Sequence, residues 1–326
     1  MNSLRARLAP LVRSPWLKLA LQVLVSLALI AVLLSLDLPS LVELLRGSDP
    51  LLVLVVVILT FVYTYLLSER WRLILRGLGV HQATLTTFDL SMRGYFFGTF
   101  LPSNAGGDVV KAYLLSRRGA PLSVALLSVV LDRVTGMAAL LWLGALAGWF
   151  TVGPSEVVAQ VSSLALVGLA IVVTVSGLLG LWLVPMLERP LLALTPRFAR
   201  PAMNALLGAM REFAARPMLF LVATIISIPL QIFYVFQMHL LVLALHAHVD
   251  LGLLTLAVTW GTLAGALPIS FSGFGPRETA FVATLGSPQV GLAVGLLSGA
   301  LQIISGIPGG ILQLLDRGSA PPKTDS

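Results

Sequence analysis

The chain has 326 residues, of which 57% are hydrophobic and only 11% charged, and its mean hydropathy is +0.96. Soluble domains carry roughly 25% charged residues, so a soluble globular protein is excluded and an all-α, polytopic integral membrane protein is expected. The formal net charge of +7 does not imply a nucleic-acid partner, because the basic residues are parcelled between apolar runs as in cytoplasmic membrane loops. Cysteine is absent, which removes a disulfide framework, thiolate catalysis and Cys-ligated metal.

The first apolar run, 17–36, follows Arg5, Arg7, Arg13 and Lys18. It exceeds the about 7–15-residue apolar core of a signal peptide and reads as a retained span with a cytoplasmic N-terminus. An acidic outer loop (Asp37, Glu43, Arg46, Asp49) leads to a second span at about 51–67. Beyond it Glu69, Arg70, Arg72 and Arg76, then Arg93, Lys111, Arg117 and Arg118, make a basic cytoplasmic stretch. Spans at 122–148 and 157–184 follow, joined by a turn with Gly153, Pro154 and Glu156. A second basic loop holds Arg189, Arg197, Arg200, Arg211 and Arg216, and within it Met203, Leu206, Leu207, Met210 and Phe213 form one stripe of an interfacial amphipathic helix. A fifth span, 218–244, reaches an outer loop with His246, His248 and Asp250, and a last span covers 289–313. The basic loops all fall on one side, which places a multi-pass protein in the cytoplasmic (inner) cell membrane with both termini cytoplasmic.

Two segments are too interrupted for simple spans. Residues 85–115 are broken at Pro102, Ser103, Asn104, Gly106, Gly107 and Asp108, and residues 253–288 at Pro268, Ser270, Ser272, Gly273, Gly275, Pro276, Arg277 and Glu278. Irregular backbone survives at membrane depth only where protein or a watery cavity satisfies it. Both segments therefore read as re-entrant helical hairpins entering from opposite faces; two full spans is the alternative count for the second. The breaks echo one another: each has Leu-Pro, a small polar residue, a glycine pair, then an acid and a base. Paired interruptions of this kind in opposite halves point to a transporter site and a possible inverted repeat. One transmembrane domain over 1–315 and a polar, disordered cytoplasmic tail at 316–326 complete the expected organisation.

The polar residues inside these segments carry the functional reading. A helix starting after a break directs free N–H groups and its positive dipole end inward, and Lys111 and Arg277 add full charge. Asp132 and Arg133 lie roughly 15 Å into the third span, a costly depth for ions that usually face a cavity or a partner. Neighbours on a helix point about 100° apart, so their partners are expected among Arg93, Asp108, Lys111, Arg277 and Glu278. Arg70, Arg72 and Arg93 are expected at the cytoplasmic interface, with Trp71 as an anchor. His246 and His248 lack a third ligand and read as loop residues, so no metal is expected.

With these residues in place, the chain resembles the membrane region of lysylphosphatidylglycerol synthase and the free-standing flippase-like proteins that share it. The resemblance rests on Arg70-Trp71-Arg72, on Gly94-Tyr95-Phe96 leading to Leu101-Pro102-Ser103-Asn104-Ala105-Gly106-Gly107-Asp108 and Lys111, and on Leu131-Asp132-Arg133-Val134-Thr135-Gly136. The stretch from Leu267-Pro268 through Gly273, Gly275, Arg277 and Glu278 completes it. It implies a domain that moves a lipid with a charged or phosphorylated headgroup across the bilayer. Full synthases add a soluble aminoacyl-transferase domain; this chain ends about ten residues past its last span, so lysyl transfer is not expected.

The leading expectation is a lipid flippase or scramblase, not an enzyme, with a membrane lipid as substrate and no cofactor. Asn104, Gly106, Gly107, Gly273 and Gly275 line the path, Lys111, Arg133 and Arg277 bind an anionic headgroup, and Asp108, Asp132 and Glu278 serve as charge partners or in gating. The alternatives are an intramembrane enzyme using those carboxylates on a lipid-linked phosphate or glycan, and an accessory subunit of a lipid-modifying enzyme. No Gly-x-x-x-x-Gly-Lys-Ser/Thr occurs, which argues against direct ATP hydrolysis.

Overall fold

The computed structural model describes residues 39–100, 104–151, 156–195, 200–214, 217–267, 270 and 272–318, together with 23, 24 and 27. The expected first span therefore lies outside the described residues except at those three positions, as do Leu101, Pro102, Ser103 and Pro268. After a helical stretch at 39–46 come α1 (Pro50–Gly77), α2 (Thr84–Phe100), α3 (Asn104–Ser116), α4 (Leu122–Trp149) and α5 (Glu156–Leu194). Then follow α6 (Arg200–Ala214), α7 (Pro217–Ala244), α8 (Leu251–Ala266), α9 (Pro276–Leu285) and α10 (Pro288–Gly318). No strand occurs among the described residues. The last helix reaches Gly318, past the expected start of the polar tail at 316; residues 319–326 lie outside the described set.

Local sequence accounts for the helix ends. Asp49 caps α1, its carboxylate accepting from the Leu51 and Leu52 amides at 2.8 and 3.2 Å, with Pro50 at the first helical position where no amide is needed. Asp250 caps α8 in the same way through Leu253. Hydroxyls within the spans return a bond to their own helix, as Thr60 does to Val56, Thr64 to Thr60 and Ser227 to Ala223, which lets them sit in apolar surroundings.

Among the described residues, α1, α4, α5, α7 and α10 are long and apolar enough to cross a bilayer. About 61% of the α4 window is buried against 17% for α5, so α4 is a central helix and α5 a peripheral one facing lipid. The other apolar pieces pair as helical hairpins, α2 with α3 and α8 with α9. Their arms have 17, 13, 16 and 10 residues, short of the roughly 20 that a span needs. The amphipathic helix expected near 201–215 is α6, whose Leu207 is buried and which packs on α5, α4 and α7.

The chain's two halves share one pattern of neighbours. Helices α1 and α7 lie antiparallel: the Asp49 amide donates to the Ala244 carbonyl at 2.8 Å at one end, and Gly77 abuts Leu219 at the other. Helix α2 runs antiparallel to α10, with Met92 beside Gly309 and Phe96 beside Gly306. Helix α8 runs antiparallel to α4, with Thr259 beside Gly144 and Gly252 beside Thr151. Exchanging α1–α4 with α7–α10 reproduces these contacts and the α3–α4 and α9–α10 packing. A rotation that lays α1 onto antiparallel α7 has its axis across the spans, which is the geometry of an inverted repeat.

Two apolar clusters frame the interior. One gathers Trp71, Leu75, Leu90, Leu115 and Val129 toward the basic end; the other gathers Val56, Leu140, Met238, Leu254, Phe281 and Leu301 toward the opposite end. Between Val56 and Trp71, the inward face of α1 turns polar.

Candidate functional site

That polar interior is a cavity of about 300 Å³, at the small end of ligand pockets. Each bordering helix contributes one stripe at helical spacing. Helix α1 supplies Thr60, Tyr63, Thr64, Leu67 and Arg70, α7 supplies Gln231, Tyr234, Gln237 and Met238, and α10 supplies Ser298, Leu301, Gln302 and Ser305. Helix α4 adds Asp132, Arg133, Gly136, Met137 and Leu140. The first hairpin provides Ser91, Gly94, Tyr95, Gly98, Gly107, Asp108 and Lys111, the second Thr262 and Ala266.

The first hairpin reaches the cavity because its two arms touch backbone to backbone. A Cβ on Gly107 would collide with the Gly94 carbonyl oxygen and come within 3.0 Å of the Gly98 Cα, so only glycine permits this approach. The close packing turns Asp108 and Lys111 of α3 toward α4.

A network of ions occupies one end of the cavity. Arg70, 5% exposed, donates through Nε to Asp132 Oδ1 at 2.9 Å, through Nη2 to the Asp132 carbonyl at 2.9 Å and through Nη1 to Ser227 Oγ at 2.8 Å. Lys111 Nζ stands 3.7 Å from the other Asp132 oxygen and 3.8 Å from the centroid of the buried Trp71 ring. The Trp71 ring is itself fixed by its N–H donating to Ser128 Oγ at 3.1 Å. Arg133 Nε donates to Asp108 Oδ2 at 2.7 Å. Among the described residues, three cations thus face two carboxylates across this part of the lining, one positive charge in excess. In an interior of low dielectric such a surplus attracts an anion strongly.

The structure sorts the residues singled out from sequence. Gly107, Asp108, Lys111, Asp132 and Arg133 line the cavity. Gly106 is not among the lining residues, and the side chain of Asn104 lies outside the described set. Gly273, Gly275, Arg277 and Glu278 sit behind the wall. Gly275, at φ +94°, turns the chain into α9, a conformation glycine adopts without strain. Its amide donates to Glu278 Oε2 at 2.6 Å, while Glu278 Oε1 accepts from Arg277 at 2.7 and 3.1 Å. Arg277 touches the cavity through Gln302, 3.4 Å from its Nη1. This adjacent pair meets because Glu278 curls back over the first turn of α9, bringing its carboxylate within reach of its neighbour.

The interfacial arginines divide three ways. Arg72 pairs with Glu69 on its own helix. Arg93 is buried and ties α2 to α10, bonding Asp89, Gln313 and Asp316 at 2.6, 2.8 and 2.6 Å. Arg70 is not at the interface but inside the bundle. Sequence reasoning also missed Tyr63, Tyr95, Tyr234, Gln231, Gln237 and Gln302. Their signal was present: polar residues recur at three- and four-residue spacing through otherwise apolar spans, marking a wetted helix face.

The family model described as "Lysylphosphatidylglycerol synthase TM region" matches residues 19–310. The chain belongs to this family. It is also similar to the UPF0104 membrane protein MJ1595 of Methanocaldococcus jannaschii, at 30% identity over 118 residues. That alignment covers 36% of this chain and 35% of the relative, about a third of each. Within the family frame, the ion network and both hairpins fall inside the matched residues.

Proposed function

We propose that this multi-pass membrane protein is a lipid translocase, a flippase or scramblase that moves an anionic or phosphate-bearing lipid across the cytoplasmic membrane. The observation that carries this reading is the cavity with surplus positive charge, lined by the two hairpins and by spans of both halves. A phosphate entering it meets Arg70, Lys111 and Arg133, which offer guanidinium forks and an ammonium in place of water. The cavity holds a headgroup and leaves acyl chains outside among the apolar helix faces. The inverted pattern of the halves supports alternating access, because two arrangements related by the pseudo-two-fold would expose the same site to opposite faces. The basic loops favour cytoplasmic termini.

The test is reconstitution of the full chain in liposomes with fluorescent phospholipids. Anionic lipids should cross faster than in protein-free vesicles, and Arg70→Gln should remove at least about 90% of the gain, the loss of a charge-assisted contact. Lack of movement by any lipid across a broad headgroup panel would overturn the proposal.

A further inference from the structure

The two halves of the chain build the same pairings twice. Laying Pro50, the start of α1, on Pro217, the start of α7, sets Thr60 on Ser227, Arg70 on Gln237 and Gly94 on Gly261. The bond from Arg70 to Ser227 at 2.8 Å then has a counterpart in the bond from Gln237 to Thr60 at 3.3 Å. Gly94 packs on Lys111 and Gly261 on Phe281, each three residues beyond an acid, Asp108 or Glu278. Laying Leu122, the start of α4, on Pro288, the start of α10, sets Asp132 on Ser298 and Arg133 on Gly299. At this place each half holds an acid and a guanidinium. Asp108 accepts from Arg133 at 2.7 Å. Glu278 accepts from Arg277 at 2.7 Å, and the Arg277 guanidinium covers Gly299 so closely that a Cβ there would collide with it. The two pairs differ in exposure: Arg133 and Asp108 are 33% and 30% exposed, Arg277 and Glu278 7% and 0%.

Where two inverted halves exchange conformations, a place open in one half is closed in the other. Resting on the translocase reading, we propose that Arg277 and Glu278 are a second anion site, which opens toward the face of the 245–250 loop when Asp108 and Arg133 close. There the phosphate-bearing group of the lipid reaches Arg277, which Glu278 holds while the site is empty. Glu278 can stay in place as the arginine turns to its ligand, because its other oxygen accepts from the Gly275 amide at 2.6 Å. The way from the cavity to Arg277 is short: Gln302, which lines the cavity, stands 3.4 Å from the Arg277 Nη1. A charge pair sealed behind the wall is costly inside a membrane, and a working turn at the opposite face accounts for it. The two sites are unequal. Gln237 stands at the counterpart of Arg70 and Ser298 at that of Asp132, so Arg277 carries the second site and holds an anion more weakly than Arg70, Lys111 and Arg133 do together.

The experiment compares binding of short-chain phosphatidic acid to the full chain in nanodiscs with movement of fluorescent phosphatidic acid across liposomes. The double variant Arg277→Gln, Glu278→Gln keeps hydrogen-bonding groups at both positions without their charges. It should slow movement at least about tenfold, the loss of a charge-assisted contact, while changing binding less than about twofold. Retained binding reports that the variant is folded. Arg277→Lys, which keeps the charge, should move lipid within about threefold of the parent. Since the chain has no cysteine, Ser298→Cys reports the opening itself: an impermeant thiol reagent should reach it from the face of the 245–250 loop. Adding Glu278→Gln, which leaves Arg277 without its carboxylate in the closed arrangement, should speed this labelling at least about threefold, and phosphatidic acid should slow it. Movement within about twofold of the parent in the double variant, equal losses of movement and binding, or labelling of Ser298→Cys from the other face alone overturns the inference and leaves the translocase reading standing. Inorganic phosphate slowing the labelling as well as phosphatidic acid does makes free phosphate the ligand and overturns the lipid assignment of this site. A parent protein that moves no lipid sinks both readings together.

Discussion

Asp132→Asn is the substitution that bears hardest on the ion network. The carboxylate faces Arg70 at 2.9 Å and Lys111 at 3.7 Å, and these cations are only 5% and 8% exposed. The amide keeps the shape and one acceptor but removes the charge, so Arg70 and Lys111 lose their carboxylate and the three cations of the lining face a single one, Asp108, which Arg133 already engages. Breaking a buried pair from one side costs about 3–5 kcal/mol. The reference is Arg118→Ala, which breaks a pair with Asp89 whose arginine is 39% exposed; such pairs are worth below about 1 kcal/mol. Unfolding of purified protein in mixed micelles gives both values. Adding Lys111→Met to Asp132→Asn returns the lining to the parent's single excess charge, so the double variant should be more stable than the sum of the single effects by at least about 1 kcal/mol. An Asp132→Asn cost no larger than that of Arg118→Ala, or strict additivity in the double variant, would refute the account of this network.

Gly107→Val places a side chain into the Gly94 carbonyl and should lower stability by about 1–3 kcal/mol with loss of lipid movement; an unchanged melting temperature would contradict the close approach. Gly168→Ala, on α5 with nothing within 4 Å of the added methyl, should instead stabilise by about 0.5–1 kcal/mol, read in the same melts. Since the chain has no cysteine, single-cysteine variants report topology directly. Arg118→Cys at the base of the first hairpin and His248→Cys before the second should react with an impermeant thiol reagent from opposite faces of the membrane. Labelling of both from one face refutes the inverted arrangement. Arg72→Gln, whose partner Glu69 lies on its own helix, should leave translocation within about twofold of the parent, as a weak surface pair implies.

The membrane class, five of the spans, the amphipathic α6 and the two interrupted segments were legible in the sequence. Hydropathy over twenty residues, charge between runs and Gly-Pro breaks are properties of contiguous chain, and they act before any tertiary contact forms. The depth of Asp132 and Arg133 and their divergence were legible for the same reason: a helix sends neighbours to different sides, here to Arg70 and to Asp108. Tertiary structure alone decided that Arg70 belongs to the cavity. The sequence shows it among interfacial arginines, and only the packing of α4 and α7 brings Asp132 and Ser227 to it from 62 and 157 residues away. Packing likewise turned the tyrosines and glutamines inward and folded Glu278 back onto Arg277 behind the wall. The inward stripe of each helix is chosen by neighbours from the other half of the chain, a choice that no local window contains.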